Sequence, residues 1–194
     1  MTPTERSRLS SVALQVGDAL RRHGIRAVLT GGACASVHSG GVYHSVDMDF
    51  ILLQPVTQAV LDAAMDSVGF RRRGDRYLHP RARFYVEFPR GPLAIGGDYR
   101  IRPVEHRRQR RRALVLSPTD SCRDRLAAFY HWNDRQSLAV AVAIALRNRL
   151  NLATIRRWSV AERAEPAFEE FLAALRAARG ARVGRRRARA RKKR

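Results

Sequence analysis

From Thr4 to His23 apolar residues recur at helical spacing, with Leu9, Val12, Ala13, Val16, Ala19 and Leu20 on one stripe. Gly24 follows where a helix C-terminus favours glycine, so a first helix is predicted there. Arg26-Ala27-Val28-Leu29 is a short, mostly apolar run that stops at Thr30-Gly31-Gly32, and Ala33 to His38 reads as a brief helix. The order is strand, glycine turn, helix. After Ser39-Gly40-Gly41, the stretch Ser45 to Leu53 alternates as a buried strand does: Val46, Met48 and Phe50 are expected on one face, Asp47 and Asp49 on the other. Pro55 to Val68 is predicted to form a second helix on the sheet. A basic, turn-rich stretch follows Gly69 and leads into a strand from Ala82 to Phe88, in which Tyr85 and Glu87 alternate with Phe84, Val86 and Phe88.

Gly91 to Gly97 reads as a connection, and weaker strands are expected at Tyr99–Val104 and Ala113–Leu116, on either side of the run Arg107–Arg112. At Ser117-Pro118-Thr119-Asp120 a capping pattern opens a helix to about Trp132, followed by helices at Asp134–Leu146, Asn151–Glu162 and Pro166–Arg179. Leu126, Phe129, Tyr130, Leu138, Val142 and Leu146 form a stripe expected in the helical core. The pattern divides the chain into an α/β part, residues 1–115, a helical region, 116–180, and a low-complexity basic tail, 181–194, expected to be disordered.

Composition sharpens this picture. The 194 residues are 45% hydrophobic and 28% charged, the profile of a folded globular chain. The longest apolar stretch, Leu138–Leu146, is far shorter than the ~20 residues a membrane span needs, and Met1–Arg8 has no apolar signal core. A cytoplasmic protein with no membrane partner is expected. Cys34 and Cys122 show no metal-binding spacing and are expected as reduced thiols. The net charge is +21; the tail holds nine basic and no acidic residues, which leaves 29 basic against 17 acidic residues, a net +12, in the first 180. Such a field favours phosphate-rich partners. Lysine occurs only at Lys192 and Lys193, a pattern that biased base composition also produces, so the scattered arginines have two readings, a phosphate-binding surface or a genomic bias toward arginine.

The stretch Leu29 to Leu53 carries the candidate chemistry. A glycine pair that closes a strand and opens a helix lets backbone N–H groups approach a phosphate, and the helix N-terminus adds partial positive charge; Gly31 and Gly32 fit that role. Asp47 and Asp49, one residue apart on a strand, project to the same side about 6–7 Å apart, close enough to ligate one or two hard cations such as Mg²⁺. Two-metal sites commonly add a third carboxylate from a neighbouring strand, and Glu87 is the best candidate. Taken alone, a DxD is also a solvated strand face and a GG a plain tight turn; together and in this order they point to a site. His38 and His44 flank the loop between the glycines and the aspartates and are candidates for substrate contact or for structural roles. The corner Tyr130 to Gln136 either leans over the cleft or is a capped turn in which Asp134 starts the next helix.

Glycine pair, spacer, then Ser45-Val-Asp47-Met-Asp49 resembles the signature of the nucleotidyltransferase-fold superfamily, over roughly residues 26 to 135. Within it the chain looks most like the bacterial branch that includes the abortive-infection AbiEii-type enzymes, in which a Ser/Thr-Pro-x-Asp segment opens a helical region, as Ser117 to Asp120 does here. Arg125-Leu126 stands where that family usually presents Lys-Leu, and Glu87 where Asp is more common. The resemblance implies an α/β (α+β) nucleotidyltransferase fold, a mixed sheet flanked by helices with a C-terminal helical region. It implies Asp47, Asp49 and Glu87 as catalytic and Mg²⁺ (or Mn²⁺) ligands, and Gly31, Gly32, Ser45 and Arg125 as nucleotide-binding residues, with Arg123 also near the phosphates. The activity implied is transfer of an NMP from an NTP such as ATP to an acceptor, RNA or tRNA by preference, in a toxin–antitoxin or abortive-infection setting with an antitoxin partner. A non-catalytic nucleic-acid-binding module on the same fold, and a small-molecule or protein nucleotidyltransferase, are the alternatives.

Overall fold

Met48 and Phe50 are wholly buried while Asp47 and Asp49 between them stay half-exposed, so one strand supplies both core and site. The computed structural model that shows this describes residues 3–41 and 45–191, with side chains to residue 182. Helix α1 (Leu9–Arg22) leads to β1 (Ala27–Leu29), α2 (Gly31–Ser39), β2 (Asp47–Leu52) and α3 (Gln58–Asp66). Four short strands follow, β3 (Arg71–Arg73), β4 (Arg76–Leu78), β5 (Tyr85–Glu87) and β6 (Val104–Arg108), and then β7 (Arg111–Val115). The chain finishes in α4 (Pro118–Trp132), α5 (Arg135–Arg147), α6 (Leu152–Ala161) and α7 (Glu165–Arg191).

The seven strands form one mixed sheet in the order β3-β4-β5-β2-β1-β7-β6. Only β2–β5 and β1–β7 are parallel pairs. Helix α1 packs on β7 with α3 beside it, and α2 lies against α4 and α5. Gly17 sets the first of these contacts. A Cβ there would run into the side chain of Ala113 on β7, so only two small residues let α1 approach the sheet this closely. A single hydrophobic cluster runs from Leu9 through Phe50, Leu126 and Ile144 to Leu175, joining the α/β part and the helical part through α2.

Several elements depart from their sequence-based expectation. Val46 does not share the buried face of Met48 and Phe50; it is 55% exposed, because β2 begins only at Asp47 and Val46 brings the chain in from the preceding loop. The basic stretch after Gly69 contains the hairpin β3–β4, turned at Gly74-Asp75. Its arginines face solvent on an edge of the sheet, where charge discourages pairing with another chain. The run Arg107–Arg112 is also a hairpin, β6–β7, with Gln109 in the left-handed region at φ 54°. Tyr99–Pro103 forms no strand; Pro103 has no N–H to donate to a ladder. The backbone of α7 is helical past Gly180 to Arg191, in keeping with the helix propensity of Ala and Arg, and the expected disordered tail bears on residues whose side chains lie outside the description after Arg182. Cys34 and Cys122 are buried free thiols, and burial pushes the Cys34 thiol up to about 12. No helix among the described residues is long and apolar enough to cross a membrane.

Candidate active site

The parallel register of β2 and β5 places Asp47 opposite Tyr85 and Asp49 opposite Glu87. On the far side of β5, Glu87 faces Arg76 of β4 in antiparallel register. Asp49, Glu87 and Arg76 therefore form a row across three strands on the half-exposed face, with Asp47 one pleat away. The structure brings Asp47, Asp49 and Glu87 together: a carboxylate oxygen from each lies within 4.8 Å of the others. Burial pushes the Asp49 carboxyl up to about 6, and the charges of Asp47, Glu87 and Asp124 add to this while Arg125 opposes it. Arg76 Nε meets Glu87 Oε1 at 2.7 Å and its guanidinium lies over the Tyr85 ring, which leaves the second oxygen of Glu87 outside that ion pair.

Helix α2 starts directly beside these carboxylates. Gly31 is its first residue, at φ 62°, and a Cβ on it would sit 2.6 Å from Asp49 Oδ2. The amide of Thr30, the N-cap, donates to the carbonyl of Asp49 at 2.9 Å, which ties the helix start to the strand. Gly32 is buried in the same first turn, whose N–H groups have no partner within the helix. The Ser45 hydroxyl donates to Asp47 Oδ1, so in this structure it orients a carboxylate. Arg125 holds Asp124 through Nε and Nη2, at 3.0 and 2.7 Å, at the edge of the acidic cluster.

Other candidates lie elsewhere. Arg123 does not reach the carboxylates. It is 3% exposed, pairs with Asp98 at 2.7 Å and Asp120 at 2.9 Å, and packs over Trp158. On α4, residues 123 and 125 point in nearly opposite directions, and the Arg123 face belongs to the packing against α6. Breaking a buried, doubly paired guanidinium costs about 3–5 kcal/mol, so Arg123→Met is expected to lower stability by about 3 kcal/mol in urea unfolding. Loss of activity with unchanged stability would instead make Arg123 a substrate contact.

His38 is bonded to the carbonyl of Leu116 at 2.8 Å, and burial lowers its pKa, so it braces the end of β7. His44 lies outside the described residues. The Tyr130–Gln136 corner is a capped turn: Asp134 accepts from the amides of Gln136 and Ser137, and Tyr130 stacks on Trp158 and bonds Ser159. Arg76 and Asp124 were missed by sequence reasoning. Asp124 precedes Arg125 in sequence, whereas only the hairpin register reveals Arg76.

The fold has a counterpart among solved structures. A crystal structure of an antigenic nucleotidyltransferase-like protein from Paracoccidioides brasiliensis superimposes with a TM-score of 0.51 over 87% of this chain and 95% of that one, at 13% identity. The chain has a nucleotidyltransferase-like fold. No family model matches it, and no curated protein matches its sequence. In this nucleotidyltransferase-like fold the donor set at the sheet is entirely carboxylate oxygen, the hard ligands that Mg²⁺ and Mn²⁺ take. Burial, with the neighbouring charges of Asp47 and Glu87 behind it, raises Asp49, and a divalent cation offsets both effects, so the residues present fit one.

Proposed function

We propose that this protein transfers a nucleoside monophosphate from a nucleoside triphosphate to an acceptor hydroxyl, with Asp47, Asp49 and Glu87 holding Mg²⁺ or Mn²⁺. The observation that carries this reading is the meeting of three carboxylates from adjacent parallel strands at the glycine start of a helix. A cation bound there supplies charge neutralisation for the triphosphate and a lowered pKa for the acceptor hydroxyl.

The chain's own residues do the rest. The first turn of α2, at Gly31 and Gly32, presents free N–H groups and the positive end of the helix dipole to phosphate oxygens. Gly31 lets that turn approach within contact of Asp49. Ser45 fixes the rotamer of Asp47, and Arg76 fixes that of Glu87, so neither acid has to be ordered when substrate arrives. Arg125, held by Asp124, offsets the negative charge that develops on the leaving pyrophosphate. The acceptor oxygen bonds to the α-phosphorus as the bond from phosphorus to the bridging oxygen breaks, and the hydroxyl proton passes to a carboxylate oxygen of the cluster.

The net charge of +12 outside the tail favours RNA as acceptor, tRNA in particular. Addition of a nucleotide to tRNA would stop its use in translation, and on this reading the protein acts as a toxin that an antitoxin holds in check. The test is incubation of the purified protein with each α-³²P-labelled NTP, Mg²⁺, and total cellular RNA and protein, beside the Asp47→Ala/Asp49→Ala variant. Label is expected on RNA only with both aspartates intact. Label on a protein band would reassign the acceptor, and no transfer with any NTP, or transfer that survives loss of both aspartates, would overturn the reading.

A further inference from the structure

A groove of about 830 Å³ has Ser45, the hydroxyl partner of Asp47, in its wall, and this residue links it to the carboxylates. From Ser45 the lining includes Arg83, Arg147, His106, Arg108 and Arg8. A smaller hollow of about 250 Å³ shares Arg8 and Arg108 and extends the strip to Arg111. No carboxylate lines either hollow among the described residues.

That one-sided lining contrasts with a mixed one elsewhere on the described surface. A larger cleft of about 1180 Å³ between α4 and α6 also holds arginines, but Asp98, Asp120 and Glu162 share its walls and two of those acids pair with Arg123. Arginines on the other elements meet acids as well: Arg21 and Arg22 meet Asp18, Arg72 meets Asp62, Arg135 meets Glu170 and Arg156 meets Glu169. Arg8, Arg83, Arg108 and Arg147 are exposed and enter no ion pair among the described residues. They come from four separate elements of the chain: the start of α1, the loop before β5, the end of β6 and the end of α5. Other exposed arginines, Arg26, Arg90, Arg149 and Arg163 among them, also enter no ion pair among the described residues; what sets these four apart is that they converge on one groove. Arg147 also packs closely, its guanidinium 2.6 Å from where a Cβ of Gly40 would be. Exposed Val46 adds an apolar contact in the same wall, against which a base can rest.

We infer that this groove is the track for the acceptor strand, a single-stranded polynucleotide whose phosphodiesters lie on Arg8, Arg83, Arg108 and Arg147 and whose terminal hydroxyl is delivered past Ser45 to Asp47. The inference rests on the nucleotidyl-transfer reading of the carboxylates and names where its acceptor binds. A strand end is required, since the reacting hydroxyl has to reach half-buried acids. Arginine grooves that follow a backbone are the common means of holding a single strand.

The probe is a 12-nucleotide RNA carrying 5′-fluorescein, titrated by anisotropy between 50 and 200 mM KCl in the absence of NTP. Each phosphate contact on a single strand contributes about 0.7 to the slope of log K against log salt. The variant Arg8→Ala/Arg83→Ala/Arg108→Ala/Arg147→Ala is expected to flatten that slope by about 3 and to weaken binding at 100 mM by at least about tenfold. A charge-matched variant, Arg26→Ala/Arg90→Ala/Arg163→Ala/Arg176→Ala, removes four exposed arginines outside the groove and is expected to bind within about threefold of the wild type. Equal loss in the two variants, or unchanged binding in the first, would overturn the track. So would a groove variant that binds RNA normally and has lost Mg²⁺-ATP, which would assign the groove to the triphosphate. RNA binding is expected to survive Asp47→Ala/Asp49→Ala. A wild type that binds RNA through these arginines yet transfers no nucleotide would remove the catalytic reading and leave the polynucleotide site standing.

Discussion

Asp49→Asn is expected to abolish nucleotidyl transfer, by about a thousandfold or more, while making the cation-free protein more stable at pH 7. Both effects come from the same carboxyl. Titrating at about 6 in the folded chain and near 4 when unfolded, Asp49 binds more protons folded than unfolded between those two values. Native stability therefore falls as pH rises through that window, and Asn removes this part of the slope. The gain at pH 7 is expected to be roughly 2–4 °C in Tm, the equivalent of about 1 kcal/mol in a chain of this size, partial exposure trimming the full value of the displacement. Mg²⁺ should raise the Tm of the wild type at pH 7.5, do so much less at pH 5, and leave Asp49→Asn nearly unmoved. Melting curves at the two pH values with and without Mg²⁺ decide it. A destabilised Asp49→Asn protein would mean that the carboxylate is a structural anchor, and the catalytic assignment would lose its physical basis.

Gly31→Ala should be nearly as damaging to activity, by about a hundredfold or more, through geometry. The added methyl would meet Asp49 Oδ2 at 2.6 Å, and at φ 62° an L side chain is strained. Either the start of α2 or the carboxylate must move, and a displacement on the order of 1 Å at reacting groups costs about that much. Gly24→Ala separates the two contributions. Gly24 has a similar φ of 72° with open space where the methyl would go, so it shares the backbone strain of about 1–2 kcal/mol and should keep full activity. If both variants lose stability equally and both stay active, the contact between Gly31 and Asp49 has no functional weight.

Asp47 and Asp49 were legible in the chain because alternation is local: Met48 and Phe50 declare the buried face, and the acids take the other. Glu87 was legible as a face but not as a position. Its place opposite Asp49 depends on β2 and β5 pairing in parallel, a register set by packing between segments more than thirty residues apart. Arg76 was hidden for a related reason, since β3 and β4 are arginine-rich, three residues each, and held mainly by pairing. In the helical half the elements themselves were plain from their caps, Ser117 and Asp134 among them. Which side of α4 borders the acids was not. Arg123 and Arg125 look equivalent in sequence, yet one is locked to Asp98 and Asp120 and the other borders the acids. Local pattern names the residues; only the assembled core tells which of them share a place.

The contact between Gly17 and Ala113 has a consequence for how this chain can change over evolutionary time. With no room for a further methyl at that crossing, neither position can accept a larger residue by itself. An added methylene on either side would push α1 off β7, the strand that leads into Leu116, whose carbonyl holds His38. The two positions can drift only in step, one shrinking before the other grows, and glycine at 17 leaves nothing further to shrink. Ala113 is thereby confined to alanine or glycine for as long as α1 lies where it does, so descendants of this sequence should stay nearly silent at this pair.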